Sequence, residues 1–188
     1  MKASTKTAIV AHANNLPLPF LTINLPVGKN HAMSTATTRD QLLEHAQALI
    51  RQRGYNGFSY RDLAEQVGIK TASIHYHFPC KDDLLIEAIN HYAAQEASLL
   101  QGIDPTLPAY ERLNRYVALF RHAPTDQVCL CGTLAADFAS LSERARQAVQ
   151  AFYRTHESWL ASVVADGQRD GSVAWSGEPE AAGRSLFA

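Results

Sequence analysis

The chain has 188 residues, with 17 Lys and Arg against 18 Asp and Glu and a formal charge of −1. A near-neutral chain is not a general polyanion binder, although a local basic footprint would still permit contact with nucleic acid. Three cysteines, Cys80, Cys129 and Cys131, are too few for a disulfide framework and favour a reducing, cytoplasmic setting. No apolar run reaches the roughly 18 residues that span a bilayer, and prolines and polar residues break up the N-terminus too often for a signal peptide.

Residues 1–32 show neither helical nor strand periodicity and read as a disordered arm. Met33 lies just ahead of the first periodic segment, so it is expected to be the native start. Gly28-Lys29 is not a phosphate loop, because Ile23 stands where the leading Gly should be and Asn30 where Ser or Thr should be. A first helix is expected over Arg39–Arg53, capped by Thr38 with Gln41, its stripe formed by Leu42, Leu43, Ala46, Leu49 and Ile50. Ser59 with Asp62 opens a second helix, which Gly68 ends in a left-handed turn; Ile69 follows as a buried anchor. A third helix runs from Thr71 to Phe78, where Pro79 stops it, with Ile74 and Phe78 inward. Two short helices around a Gly turn have the form of a helix-turn-helix.

A long fourth helix starts near Asp82-Asp83 and keeps Leu84, Leu85, Ala88, Ile89, Tyr92, Leu99 and Leu100 in period to Gln101. The stretch GIDPTLP then breaks the chain. A fifth helix covers Ala109–His122, with Leu113, Tyr116, Val117 and Phe120 inward. A sixth covers Leu130–Ser140. The seventh opens at Ser142-Glu143 and carries Val149, Phe152, Trp159, Leu160, Val163 and Val164 to Gly167. Glu178-Pro179-Glu180 begins another. No strand alternation or internal repeat is found, so the fold class is all-α.

The segment IKTASIHYHFPCKDDLL resembles the recognition helix and following helix of the TetR/AcrR family of bacterial repressors. Gly54 and Phe58-Ser59 resemble that family's link between helices 1 and 2, and CLCGTLAADFASLSERARQAV resembles part of its regulatory domain. Lys70 and His75 replace the residue types commonest there. The resemblance implies a helix-turn-helix DNA-binding domain over residues 33–85, joined by helix 4 to a helical effector-binding and dimerisation domain over 86–188. The family's dimer interface is usually built from two long final helices. This chain stops about ten residues into the first of them, so the regulatory domain is expected to be truncated.

The same resemblance, with the polar outer surface of the third helix, nominates Ser59, Arg61, Lys70, Thr71, Ala72, Ser73, His75, Tyr76, His77 and Lys81 for contact with a double-stranded DNA operator. Tyr92, Tyr116, Phe120, Phe138, Phe152 and Trp159 are plain core or the wall of a small-molecule effector cavity. Cys129 is a packed small residue or a reactive thiol at a helix start, a redox or electrophile sensor such as some family members carry. His75 and His77, two residues apart, point to opposite sides of a helix and are no metal pair. No cofactor is expected. The absence of G-x-S-x-G, H-E-x-x-H and Gly-rich phosphate loops argues against an enzyme. The expectation is a homodimeric, ligand-responsive repressor; the alternative is a truncated helical interaction protein that does not bind DNA by itself.

Overall fold

Thr37, rather than Thr38, caps the first helix. The computed structural model describes residues 37–121 and 128–187, so the expected N-terminal arm and the possible start at Met33 lie outside the described residues. Helix α1 (Thr38–Arg53) opens with a reciprocal box: the Asp40 N–H donates to Thr37 Oγ1 (3.2 Å) and the Thr37 N–H donates to the Asp40 carboxylate (3.1 Å). A short carboxylate three residues from the cap favours Thr37, because its charge suits a helix N-terminus better than the amide of Gln41. Leu42, Leu43, Ala46, Leu49 and Ile50 form the buried stripe as expected.

Helix α2 (Tyr60–Val67) has the Ser59 cap and Asp62 partner read from the sequence, and Gly68 closes it in the left-handed region. Helix α3 (Thr71–His77) ends one residue early. Phe78 precedes Pro79, whose ring disfavours helical backbone at the residue before it, and Phe78 accordingly adopts extended angles. Ile74 and Phe78 are both buried. The Tyr60 hydroxyl donates to the Phe78 carbonyl at 2.9 Å, tying the start of α2 to the end of α3. Ile69 is only half-buried, in contrast to the buried anchor expected.

Helix α4 (Lys81–Gln101) begins at Lys81, with the Cys80 thiol donating to the Asp83 carboxylate at 3.1 Å. Its inner stripe lies against α1, where the buried Gln47 amide donates to the Ala88 carbonyl (3.2 Å) and meets His91 Nδ1 (3.1 Å). Leu99 is 49% exposed, so the stripe is narrower at its C-terminal end than the periodicity suggested. Helix α5 (Ala109–Arg121) turns Arg112 and Tyr116 inward, whereas Val117 and Phe120 are exposed. The buried arc is thus rotated towards Arg112, a residue no hydropathy pattern would place inside; it pairs with Asp166 at 2.8 Å.

Helix α6 (Leu130–Ala136) is shorter than expected and gives way at Asp137 to a 3₁₀ turn, Phe138–Ser140. Helix α7 (Glu143–Asp170), capped by Ser142, is the longest, and α8 (Pro179–Phe187) packs along it. That approach depends on Gly183, because a Cβ there would lie 2.3 Å from the Glu157 carbonyl oxygen. The main apolar core runs from α1–α3 through α4 into α6 and α7, and a second, smaller cluster of Leu100, Ile103, Tyr116 and Leu160 lies between α4, α5 and α7. No strand occurs among the described residues. Among the described residues no helix is long and apolar enough to cross a membrane.

Candidate nucleic-acid interface

With Ile74 and Phe78 fixed in the core, the 100° step of a helix puts Ala72 and Tyr76 at the centre of the opposite face of α3. Tyr76 is 85% exposed, and Ala72, Ser73 and His75 are also exposed. Thr71 and His77 lie half-buried at the edges. A shallow groove of about 470 Å³ runs beside this face, lined by Thr38, Ile69, Ala72, Ser73, Tyr76 and His77. Thr38 and Ile69 were not among the nominated residues. Thr38 carries no local signal, since α1 begins more than thirty residues before α3.

The remaining nominated residues divide by what already holds them. His77 meets Tyr76 edge-on, with ring centroids 5.2 Å apart. His75 lies on the other flank, against Tyr60 at 4.9 Å, and its Nδ1–H donates to the Pro79 carbonyl at 3.2 Å. Ser59 is occupied by its capping box, whose hydrogen bonds hold the Asp62 carboxyl below its ordinary range. Arg61 pairs with Glu65 on the surface. Lys70 is exposed at the start of α3.

Lys81 departs most from expectation. Its ammonium donates to the carbonyls of Tyr55 and Phe58 and sits over both rings, at 4.6 and 4.2 Å from their centroids. Burial there lowers its pKa. In this structure it holds the link between α1 and α2, using two of its three N–H donors. The same link is gripped from the other side. The Tyr55 N–H donates to Asp137 at 2.8 Å, and Asn56 donates to Ser140 Oγ at 3.0 Å. Gly54 lies beneath Asp137 with φ +72°, and a Cβ on it would come within 2.7 Å of the carboxylate.

The aromatic residues nominated for an effector cavity fall into two places. Tyr92 stacks on Phe152 (5.5 Å) and Tyr116 on Trp159 (5.3 Å), while Phe120, 41% exposed, meets Tyr116 edge-on (5.1 Å). Phe138 instead lies beneath Arg146 and lines an outer groove between α6 and α7 with Tyr153 and Val149. At the centre of the first group is His156, 1% exposed and missed from the sequence. Its position four residues after Phe152 and four before Leu160, on the buried stripe of α7, was the available signal. Its Nδ1 lies 3.2 Å from the Tyr116 hydroxyl, and Phe187 of α8 stacks on the ring at 4.7 Å. Burial pushes its pKa down to about 4.

Cys129 caps α6 and is half-buried, with the Tyr92 hydroxyl donating to its sulfur at 3.7 Å. Cys131 is fully buried and its thiol pKa is raised by desolvation. Near Tyr92, burial raises the Glu96 carboxyl above its ordinary value, and the Arg51 guanidinium lies 5.1 Å from the Tyr92 ring centroid.

Residues 42–88 match the family model described as bacterial regulatory proteins, tetR family. A TetR-family transcriptional regulator from Agrobacterium tumefaciens superposes with a TM-score of 0.76 at 30% identity, over 80% of this chain and 81% of that one. This chain belongs to the TetR family. A TetR regulator from Legionella pneumophila is 32% identical with a TM-score of 0.70, covering 82% and 81% of the two chains. The transcriptional repressor DhaR of Mycobacterium sp. (strain GP1) is 25% identical over 148 residues, 75% of this chain and 72% of the relative. The protein is therefore a DNA-binding transcriptional regulator of the TetR family and not an enzyme. Membership disfavours the alternative of an interaction protein without DNA binding.

Proposed function

We propose that this TetR-family protein is a repressor that binds a pseudo-palindromic operator as a homodimer and is released by a small-molecule or electrophile effector. The outward face of α3, centred on Tyr76 and Ala72, carries the reading: it is held rigidly by Ile74 and Phe78 and offers hydroxyl, phenol and imidazole groups to a duplex. Each copy places one α3 in the major groove, in half-sites about 34 Å apart. Ser59, Arg61, Lys70 and His75 flank that face and serve as backbone contacts. The protein works in the cytoplasm, where its operator is.

The effector binds in the helical part formed by α4, α5 and α7, among Tyr92, Tyr116, Phe120, Phe152 and Trp159, with His156 as a polar handle. An electrophile would instead reach Cys129, beside the Tyr92 hydroxyl. Two connections support transmission to the head: α4, which belongs to both halves, and the grip of Asp137 and Ser140 on the α1–α2 link. An effector shifts the equilibrium only by the difference in its affinity for the two arrangements.

Selection of bound sequences from a random DNA pool, followed by a mobility-shift titration with wild type and Tyr76→Ala, tests the reading. Enrichment of a two-fold symmetric sequence, with binding weakened at least ten-fold in the variant, is expected. Failure to enrich any sequence, or full affinity in the variant, would overturn it.

A further inference from the structure

Helix α3 reads TASIHYH and contains no Arg, Lys, Asn, Gln, Asp or Glu. Those residue types supply the strong pairings with base edges: Arg or Lys with guanine, Asn or Gln with adenine, Asp or Glu with cytosine. What α3 presents at the centre of its exposed face is the methyl group of Ala72, with Tyr76 one turn further on. Beside them the groove continues into the side chains of Ile69 and Thr38. Four polar groups, the hydroxyls of Thr38, Ser73 and Tyr76 and the imidazole of His77, border the apolar part formed by Ala72 and Ile69.

In the major groove the C5-methyl of thymine is the one apolar group that a standard base pair displays. The apolar part, Ala72 and Ile69, set against carbonyl, ring-nitrogen or amino edges would strip their water without replacing the hydrogen bonds. Set against thymine methyls it loses nothing polar and buries carbon on both sides. Resting on the proposed operator-binding role, we infer that α3 reads each half-site chiefly through thymine methyl groups seated against Ala72 and the adjoining groove wall. Ser73 and His77 supply hydrogen bonds at the margin of that contact. Ala72 is thereby a specificity-determining residue, and half-sites are thymine-bearing at the positions under it.

The test uses the sequence selected from the random pool and the full chain. Each thymine of a half-site is replaced in turn by deoxyuridine, which removes the methyl and leaves base pairing and every hydrogen-bonding group in place. At one or two positions per half-site, affinity is expected to fall roughly four-fold, the loss that one methyl's burial corresponds to. Ala72→Gly should erase that thymine-to-uracil ratio at the same positions. Because the ratio is taken within one protein, a general weakening of the variant does not affect it. An operator indifferent to every uracil replacement overturns the inference alone, as does a ratio unchanged in Ala72→Gly. A pool yielding no bound sequence overturns the operator reading and this inference with it.

Discussion

The interior of the head and the interior around α5 and α7 are built on different terms. Beneath α3, the side chains of Leu42, Leu43, Leu49, Ile50, Leu63, Ile74 and Phe78 are at most 2% exposed, and the one buried amide, Gln47, has both its partners. Around α7, His156 Nε2 is buried with no partner among the described residues, and so is Arg112 Nε, although Arg112 is otherwise paired with Asp166; on the α1 side the one such atom is Arg51 Nε, at the join of the two interiors where the guanidinium lies over the Tyr92 ring. A buried polar atom without a partner costs about 1–3 kcal/mol. The first interior is arranged to hold α3 in one orientation. The second carries unspent hydrogen-bonding capacity, which suits the effector site proposed above.

The largest effect should come from attacking the better-packed side. Phe78→Ala removes a fully buried ring that anchors the end of α3 and receives the Arg39 guanidinium 5.2 Å from its centroid. A loss of about 3–5 kcal/mol in denaturant-derived stability is expected. A loss below about 1 kcal/mol would mean the region can collapse around the gap, and the contrast between the two interiors would fail.

Acid probes the other side. The imidazole of His156 is held near pKa 4 by burial, against an ordinary value of 6.5. The unfolded chain therefore takes up this proton first as pH falls. The folded state is undiminished above about pH 6.5, weakens as pH drops towards 4, and by then has lost about 3 kcal/mol through this one group. Glu96, whose pKa is raised by burial, acts in the opposite sense, since its folded form binds a proton more readily. The contribution of His156 is thus the difference between wild type and His156→Leu across pH 7 to 4 by thermal unfolding. Parallel curves would show that the ring is hydrated in solution and that the second interior is not dry.

A smaller loss is expected from Lys81→Met. The substitution keeps a long stem and removes a charged donor from two carbonyls, at a cost of about 2 kcal/mol in stability. If operator affinity fell much further than stability, with the fold intact by circular dichroism, the ammonium would be contacting phosphate despite its present partners.

Lys81 also shows where the sequence could be read and where it could not. Ser59 with Asp62, Gly68, Pro79, Ser142 and Pro179 are local signals, each acting within four residues, and both ends of α2 and the starts of α7 and α8 followed from them, whereas α7 runs past the expected end at Gly167 to Asp170. The inward pair Ile74 and Phe78 was legible from helical spacing alone. The partners of Lys81 lie 23 and 26 residues away in the chain, so its charge was legible in the sequence but the two carbonyls that hold it were not. Arg112 was invisible for the same reason, because its partner Asp166 lies on a different helix. His156 was visible on the buried stripe of α7, but a titratable side chain was not counted as core. The cap of α1 was read one residue late, at Thr38 with Gln41, because the pairing of Thr37 with the Asp40 carboxylate was not considered.

The smallest effect on stability, and the one that most sharpens the division between holding and binding, belongs to Arg61. Its pair with Glu65 spans 3.3 Å, but the two side chains are 86% and 69% exposed. A pair so open to water and salt contributes little to folding, so Arg61→Ala should change stability by less than about 0.5 kcal/mol. The guanidinium is nonetheless free to exchange Glu65 for a phosphate, because the pair it would leave is weak. Operator affinity measured over a range of salt should then lose about one unit of slope, the signature of one phosphate contact removed. An unchanged slope with unchanged stability would make Arg61 a solvated surface charge. The phosphate contacts of the head would then have to come from Ser59, Lys70, His75, Tyr76 and the backbone.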